Sequence, residues 1–396
     1  MLKKIKISDV RLGMYIQRIC GKWIDHPFWH NSFILTEQED LNDLIHCGLD
    51  ELWIDTSQGL DVEDAIIDIP KPQITHPAKE NLPISKETKP TSLQEELVAA
   101  TKIHARAKQA IISMFNEARL GNAIDVANIA LLVDELNQSI ERNPSALLQL
   151  IRLKNADEYT YLHSIAVSAL MITLGKQLGL SKDLLQQAGI AGLLHDVGKA
   201  LIPDNILNKP GPLTNNEYNI IKTHPQRGWE ILKEYSEVSE LALDFCLHHH
   251  ERIDGNGYPD KLQGKDLSLF VRLGAICDVY DAITSERCYK KNWGPAESVK
   301  NMADWQEGQF DKEIFYAFVK TIGIYPNGTL IRLKSEHLGI VIEQSKKCLT
   351  TPLIKVFFSI KNNAYISPKI IDLSKSKDKI TQIEDSLKWG INLDKV

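Results

Sequence analysis

Six of the twelve histidines fall in one stretch of the chain: His163, His195, His224, His248, His249 and His250. Five of the six sit beside, or within a turn of, apolar helical stripes. The positions three, four and seven after His163 are Ala166, Val167 and Leu170, which turns its ring inward. His195 continues a stripe of Leu184, Ala188 and Gly192, and Asp196 follows it directly. Thr214 and Glu217 form a capping box for a helix whose Ile220 and Ile221 lie a turn before His224. One inward histidine is ordinarily a core residue with a satisfied hydrogen bond. A set is different, because an inward carboxylate beside an inward imidazole is costly without partners or a metal. Neutral imidazoles and carboxylates converging from separate helices are the donor set of borderline divalent metals. The tripeptide 248–250 follows an apolar stripe of Val238, Leu241, Ala242 and Phe245. At about 100° per residue His249 continues that stripe, and His248 and His250 flank it on opposite sides. Periodicity therefore nominates His249 and leaves its companion open.

These residues need elements to hold them. Residues 1–68 read as a small α/β unit, with short strands around Ile5, Ile7, Val10, Leu12 and Ile16. A capping box at Thr36–Glu39 opens a helix carrying Leu41, Leu44 and Ile45 that stops near Gly48, and a strand follows at Leu52–Ile54. Residues 69–91, with Pro70, Pro72, Pro77, Pro83 and Pro90, read as an extended linker. Ser92 and Glu95 form another capping box. Stripes of Leu97, Ala100, Ile103 and Ala107, then Ile129, Val133, Leu136 and Ile140, make 92–150 connecting helices. The helical pattern continues through a larger domain at 151–328, which holds the six clustered histidines. Beyond it, Leu330–Leu333, Gly339–Ile342 and Leu353–Phe358 are β-like, and 329–396 reads as a small β-rich appendage with a weak helix at Ile383–Trp389. The expected fold is mainly α, with a small domain at each end.

Composition narrows the classes. With 43% hydrophobic and 25% charged residues the 396-residue chain is neither disordered nor collagen-like. No run of about 18 apolar residues occurs, which excludes a spanning helix, and the charged N-terminus lacks the apolar core of a secretory signal. A net charge of −6 offers duplex nucleic acid no general attraction. Six cysteines without CxxC pairing fit reduced thiols, and the expected setting is the cytoplasm.

His249-His-Glu-Arg-Ile-Asp-Gly-Asn-Gly-Tyr-Pro259, taken with His195-Asp-Val-Gly-Lys199, resembles the paired signature of HD-GYP domains, a branch of the HD metal-dependent phosphohydrolases. The likeness extends over roughly 155–330, through Ile206-Leu-Asn-Lys-Pro-Gly211, His224-Pro225, Asp278-Val-Tyr-Asp-Ala-Ile-Thr-Ser-Glu-Arg287 and Gly323-Ile-Tyr-Pro326. The N-terminal unit is similar, more loosely, to a small domain of unknown function found ahead of HD-GYP domains. The resemblance implies an HD-type helical bundle and cyclic di-GMP phosphodiesterase activity, yielding pGpG, with onward cleavage to GMP left open. It implies metal ligands at His163, His195, Asp196, His224, His249, His250 and Asp278, with Asp196 bridging two divalent ions, iron or manganese, and a bridging hydroxide as nucleophile. Asp196 and Lys199 carry the catalysis in this reading. Lys199, Arg287 and Lys290 contact phosphate, and Tyr258 lines the substrate cavity. The chain departs from the commoner Arg-Pro-Tyr-Arg form at Cys288 and Lys290, and lysine lacks the bidentate fork of arginine. His248 falls outside the motif, so its replacement by alanine is expected to be nearly silent.

The chemistry suits those residues. Two metals roughly 3.5–4 Å apart acidify a shared water and neutralise charge developing on a phosphodiester. On an α-helix Lys199, four residues after His195, shares its face. Gly255, Gly257 and Pro259 are expected to stop the helix of His249 and make a rigid lip that carries Tyr258 towards a base or a partner protein. Asp281 either steadies a ligand imidazole or caps a helix. Members of the family that hold three metals carry a glutamate four residues before the first histidine. Here that position is Tyr159, with Glu158 about 100° away around the helix, so two metals are expected.

Two other functions compete: hydrolysis of another cyclic dinucleotide such as a mixed cyclic GMP–AMP, and a non-enzymatic cyclic di-GMP scaffold. Degenerate scaffolds lose ligands or the Gly-Tyr-Pro triplet, and this chain keeps both. The N-terminal unit has no phosphoacceptor cluster and no haem or nucleotide motif. Trp23, Trp29 and Trp53 make either its core or a surface for other signalling proteins. The helices of 92–150 either form a homodimer or pack on the catalytic bundle.

Overall fold

The computed structural model describes residues 2–19, 33–36, 38–46, 51–62, 91–150, 159–285, 293–345 and 350–391. Helices dominate them, and the chain divides into two compact units, residues 1–89 and 90–396.

In the first unit β1 (Leu2–Lys6), β2 (Tyr15–Ile19), β3 (Phe33–Ile34) and β4 (Glu51–Asp55) form an antiparallel sheet in the order β1-β4-β2-β3, with α1 at Gln38–His46. Strand β4 alternates as the pleat requires, burying Leu52 and Ile54. Of the positions expected in short strands, Ile5 and Ile16 lie in β1 and β2, but not all of the others do. Ile7 lies in a 3-10 turn, Ile7–Asp9, and Leu12 in a second turn. Ile7 and Val10 are buried all the same, because apolar side chains reach a core from a turn as well as from a strand. The linker expected over 69–91 lies, apart from Thr91, outside the described residues. So do Gly48, Trp23 and Trp29; Trp53 is half-buried on β4.

The second unit begins with α2 (Leu93–Leu120), α3 (Val126–Arg142) and α4 (Pro144–Leu150). Both halves of the Ser92 capping box are made: Ser92 Oγ accepts the Glu95 amide, and Glu95 Oε2 accepts the Ser92 amide at 3.0 Å. Glu96 is buried and draws α2 and α3 together, accepting Arg142 Nε at 2.6 Å, Arg142 Nη2 at 2.9 Å and Ser139 Oγ at 2.7 Å. These helices pack on the helical bundle that follows. The Ile124 amide donates to the Tyr235 hydroxyl at 2.8 Å, and Gln186 donates to Asp134 at 3.1 Å.

The bundle comprises α5 (Tyr159–Gln177), α6 (Lys182–Leu194), a 3-10 helix at Val197–Leu201, α7 (Asp204–Leu207), α8 (Asn215–Ile221), α9 (His224–Leu232), α10 (Glu240–His248), α11 (Leu269–Thr284), α12 (Pro295–Gln309) and α13 (Lys312–Ile322). Helix α5 is its axis, buried on nearly every side from Leu162 to Leu174. Helix α6 crosses it closely: a Cβ on Gly192 would lie 2.5 Å from Ser168 Cα. Five antiparallel strands follow, β5 (Leu330–Leu333), β6 (His337–Glu343), β7 (Leu353–Ser359), β8 (Ala364–Asp372) and β9 (Ile380–Ile383), ordered β8-β7-β6-β5-β9 and ending in α14 (Ser386–Trp389). The terminal helix is shorter than expected, because Ile383 pairs with Ile331 and closes the sheet. Gln344 donates to the Tyr325 carbonyl and to Asn327, both at 2.9 Å, fastening this sheet to the end of the bundle. Among the described residues no helix is long and apolar enough to cross a membrane.

Candidate metal centre

Five helices deliver seven side chains to one place. His163 comes from the first turns of α5. His195 caps α6, and Asp196 follows before the 3-10 helix. His224 opens α9, His249 and His250 follow the end of α10, and Asp278 lies on α11. His163, His195, Asp196, His224, His249 and Asp278 are buried. Three overlapping groups each bring one donor atom per residue within 4.8 Å: His163, His195 and Asp278; His195, Asp196 and His249; His224, His249 and His250.

The protonation pattern of the rings is set by local structure. Nδ1 of His195 lies 2.8 Å from the Gly192 carbonyl, Nδ1 of His224 2.7 Å from that of Ile221, and Nδ1 of His249 2.8 Å from that of Cys246. A carbonyl only accepts, so each Nδ1 carries a proton, and in the tautomer that a metal requires Nε2 is left bare. The same device, a ring bonded to the carbonyl three residues back, is used three times where a helix or turn frees that carbonyl. The bare nitrogens converge: His224 Nε2 and His249 Nε2 are 3.1 Å apart, a contact of two lone pairs that a cation relieves. Nε2 of His195 and Oδ1 of Asp196 are buried without a hydrogen-bond partner. A divalent metal answers both observations, so the donor set fits one.

Asp196 divides the cluster. Its Oδ2 faces His195 Nε2 at 3.3 Å and His163 Nε2 at 3.7 Å; its Oδ1 faces His224 Nε2 at 3.3 Å and His249 Nε2 at 3.7 Å. Burial works against the charge on Asp196, but His195 and Lys199 overcome it and hold the carboxyl well below its ordinary range. Asp278 is likewise held low against burial by His163, whose Nε2 lies 2.9 Å from its Oδ1. Burial, reinforced by neighbouring imidazoles, pushes His249 far down and His250 to about 3, so both are neutral donors near pH 7.

Two expectations about this region need correction. Lys199 does not share an α-helical face with His195, because α6 ends at Leu194 and the chain tightens into a 3-10 helix. Its ammonium instead pairs with Asp196 Oδ2 at 2.5 Å. Nor do Gly255 and Gly257 stop the helix of His249: α10 has already ended at His248, freeing the Cys246 carbonyl for the His249 ring. Asp281, left between two roles, accepts from Nδ1 of His163 at 2.7 Å, and the Asp281 backbone carbonyl also accepts the Ser285 amide. Tyr258 lies beside the cluster, its ring centroid 4.8 Å from that of His250. His248 points away from the cluster, between Asp244 and Asp260. Arg287, Lys290, Cys288 and Glu158, and the side chain of Tyr159, lie outside the described residues.

Sequence reasoning passed over Glu251, Gly198 and Lys222. Glu251 is buried directly after His250. A Cβ on Gly198 would lie 1.9 Å from the His224 carbonyl, so that glycine lets the 3-10 helix meet α9. Lys222 sits 4.6 Å from the Tyr218 ring centroid and 5.2 Å from that of Tyr258. Glu251 lies within the motif 249–259 and Gly198 within 195–199, and those positions were the available signals for the first two.

The helical bundle and its histidine–aspartate cluster define an HD-type metal-dependent phosphohydrolase. Residues 127–314 match the HD domain family, and residues 2–129 match a domain of unknown function, DUF3391. The chain is 48% identical over 405 aligned positions to the cyclic di-GMP phosphodiesterase PA4108 of Pseudomonas aeruginosa, in an alignment covering all of this chain and 95% of that protein. It is 38% identical over 164 positions to the cyclic di-GMP phosphodiesterase response regulator RpfG of Xanthomonas campestris, covering 41% of this chain and 43% of the relative. A 3'3'-cGAMP-specific phosphodiesterase of Vibrio cholerae is 36% identical over 171 positions, covering 42% of this chain and 33% of its own. The chain belongs to the HD-domain cyclic di-GMP phosphodiesterases that carry an N-terminal DUF3391 domain.

Proposed function

We propose that this chain hydrolyses cyclic di-GMP to pGpG at a centre of two divalent ions, with His163, His195 and Asp278 on one side, His224, His249 and His250 on the other, and Asp196 shared. The observation that carries this reading is the division of Asp196, whose two oxygens face different pairs of imidazoles. When bound, such ions acidify water and neutralise charge on phosphoryl oxygens.

The chain's own residues do the rest. The backbone carbonyls of Gly192, Ile221 and Cys246 hold three rings with Nε2 inward, and Asp281 does the same for His163. Lys199 keeps Asp196 anionic and adds positive charge at the edge of the cluster where a phosphate diester enters. Burial pushes the Tyr258 phenol up, so it stays protonated and offers a ring and a donor to the substrate. Arg287 and Lys290 contact phosphate in this reading. Iron or manganese suits the imidazole and carboxylate donors. The thiols of Cys246 and Cys277, both pushed up by burial, are not thiolate ligands of the kind that select softer metals. Free buried thiols also accord with a reducing cytoplasm.

The test is anaerobic purification with elemental analysis, followed by product identification from cyclic di-GMP and from 3'3'-cyclic GMP–AMP. Two metals per chain, preferential turnover of cyclic di-GMP, and loss of at least about 100-fold in turnover together with metal in Asp196→Ala are expected. A full metal complement in Asp196→Ala, or faster cleavage of the mixed dinucleotide, overturns the assignment.

A further inference from the structure

The residues on either side of the two ligand histidines, His248 and Glu251, face a different structure. Glu251 is buried, and its Oε1 accepts two consecutive backbone amides, Asp260 at 2.6 Å and Lys261 at 2.8 Å. His248 donates from Nδ1 to Asp244 Oδ1 at 2.6 Å within α10, and from Nε2 to Asp260 Oδ2 at 3.0 Å. Both therefore grip the chain where it returns from the loop that carries Tyr258. The loop is pinned at its other end as well: Arg252 Nη2 pairs with Asp254 at 2.8 Å, and the Asp254 amide donates to the Gly308 carbonyl at 2.9 Å. Two further features serve the closure. Gly257 is buried flush against Glu251, where a Cβ would lie 2.4 Å from Glu251 Cα and 2.6 Å from Arg252 N. Lys261 has a positive φ of 57°, uncommon for a residue with a side chain, and its amide is one of the two that Glu251 accepts. Between these anchors the Tyr258 amide donates to the His250 carbonyl at 3.3 Å, and its ring rests beside the His250 ring.

We propose that His248 and Glu251 are positioning residues: together with Asp260 they latch the 254–261 loop so that Tyr258 is held at the edge of the metal cluster, ready for the base or phosphate of a cyclic dinucleotide. The quartet 248–251 is thereby divided by task, its inner pair facing the cluster and its outer pair holding the wall of the substrate cavity. This rests on the function proposed above, and it revises the expectation that His248→Ala is silent. Metal is retained, but substrate binding suffers. A loop with one anchor cut spends much of its time away from the bound position, and the ordering lost in the free protein must be recovered on binding.

The experiment uses the full chain loaded with metal. Asp260→Ala, His248→Ala and Glu251→Ala are each expected to raise KM for cyclic di-GMP at least about fivefold with a smaller change in kcat. Metal content, and the rate on bis(p-nitrophenyl) phosphate, a small diester that has no bases to place, stay within about twofold. Asp260→Asn keeps an acceptor for His248 and behaves as wild type, and His248→Ala combined with Asp260→Ala is no worse than either alone. Amide hydrogen exchange over residues 255–261 becomes faster in the single variants. An equal loss on both substrates, or unchanged exchange, overturns the latch. Faster exchange in the variants of a wild-type chain that cleaves the small diester and not cyclic di-GMP overturns the substrate reading and supports the latch.

Discussion

At the scale of single residues the centre is governed by which nitrogen of each imidazole holds its proton. His195, His224 and His249 are oriented by backbone carbonyls, which substitution of a side chain does not remove. His163 depends on a side chain, Asp281, and that makes it the vulnerable one. Asp281→Asn keeps the size and can still accept a hydrogen bond, but it withdraws the negative charge that makes His163 a better donor. The expected outcome is a loss of about 10–100-fold in metal affinity with the fold unchanged. Competition against a graded series of chelators measures it. An unaltered affinity shows that Asp281 serves only the end of α11, through Ser285.

At the scale of elements, the distance between α5 and α6 decides whether His163 and His195 meet. Gly192 sets that distance, with Ser168 backbone atoms 2.5 and 2.7 Å from the Cβ it lacks. Backbone cannot step aside as a flexible side chain does. Gly192→Ala is expected to destabilise the protein by about 1–3 kcal/mol through overpacking, and to weaken metal binding because the helices that carry the first two histidines are pushed apart. Urea unfolding and metal titration check the two parts. Stability lowered with metal affinity intact shows that the strain is absorbed elsewhere along α6.

At the scale of the whole molecule, the cluster is a cost until it is filled. His250 titrates near 3 in the fold against 6.5 in an unfolded chain, because burial, with His224 nearby, disfavours its charge. Between those values the unfolded chain takes up a proton that the folded one refuses, so the metal-free protein loses stability as the pH falls through this window. His224 and His249, also lowered by burial, act in the same sense. His163, raised by Asp278 and Asp281 in spite of burial, opposes them. Chelator-treated protein is therefore expected to have a lower urea midpoint at pH 5 than at pH 7, with a smaller difference in His250→Asn. Metal at 100 times its Kd restores about 2.7 kcal/mol. A midpoint that rises on acidification contradicts this sign.

The amino-acid sequence by itself determined the helical core, the two capping boxes at Ser92 and Thr214, and the inward faces of His163, His195 and His249, because periodicity and capping are local properties of a helix. The family resemblance then selected His250 over His248 and nominated Asp196 as the bridge. Only the tertiary structure decided which oxygen of Asp196 faces which histidines, that Asp281 reaches His163 across 118 positions, and that His248 bonds Asp260. It also decided where helices stop. The ends of α6 at Leu194 and α10 at His248 turned Lys199 onto Asp196 and released the carbonyls that orient two rings. The physical reason is the same in each case. Spacing along one helix says which side a residue lies on, whereas a metal centre is assembled from five helices, and the places where they end and how closely they cross are settled by packing between segments far apart in the chain.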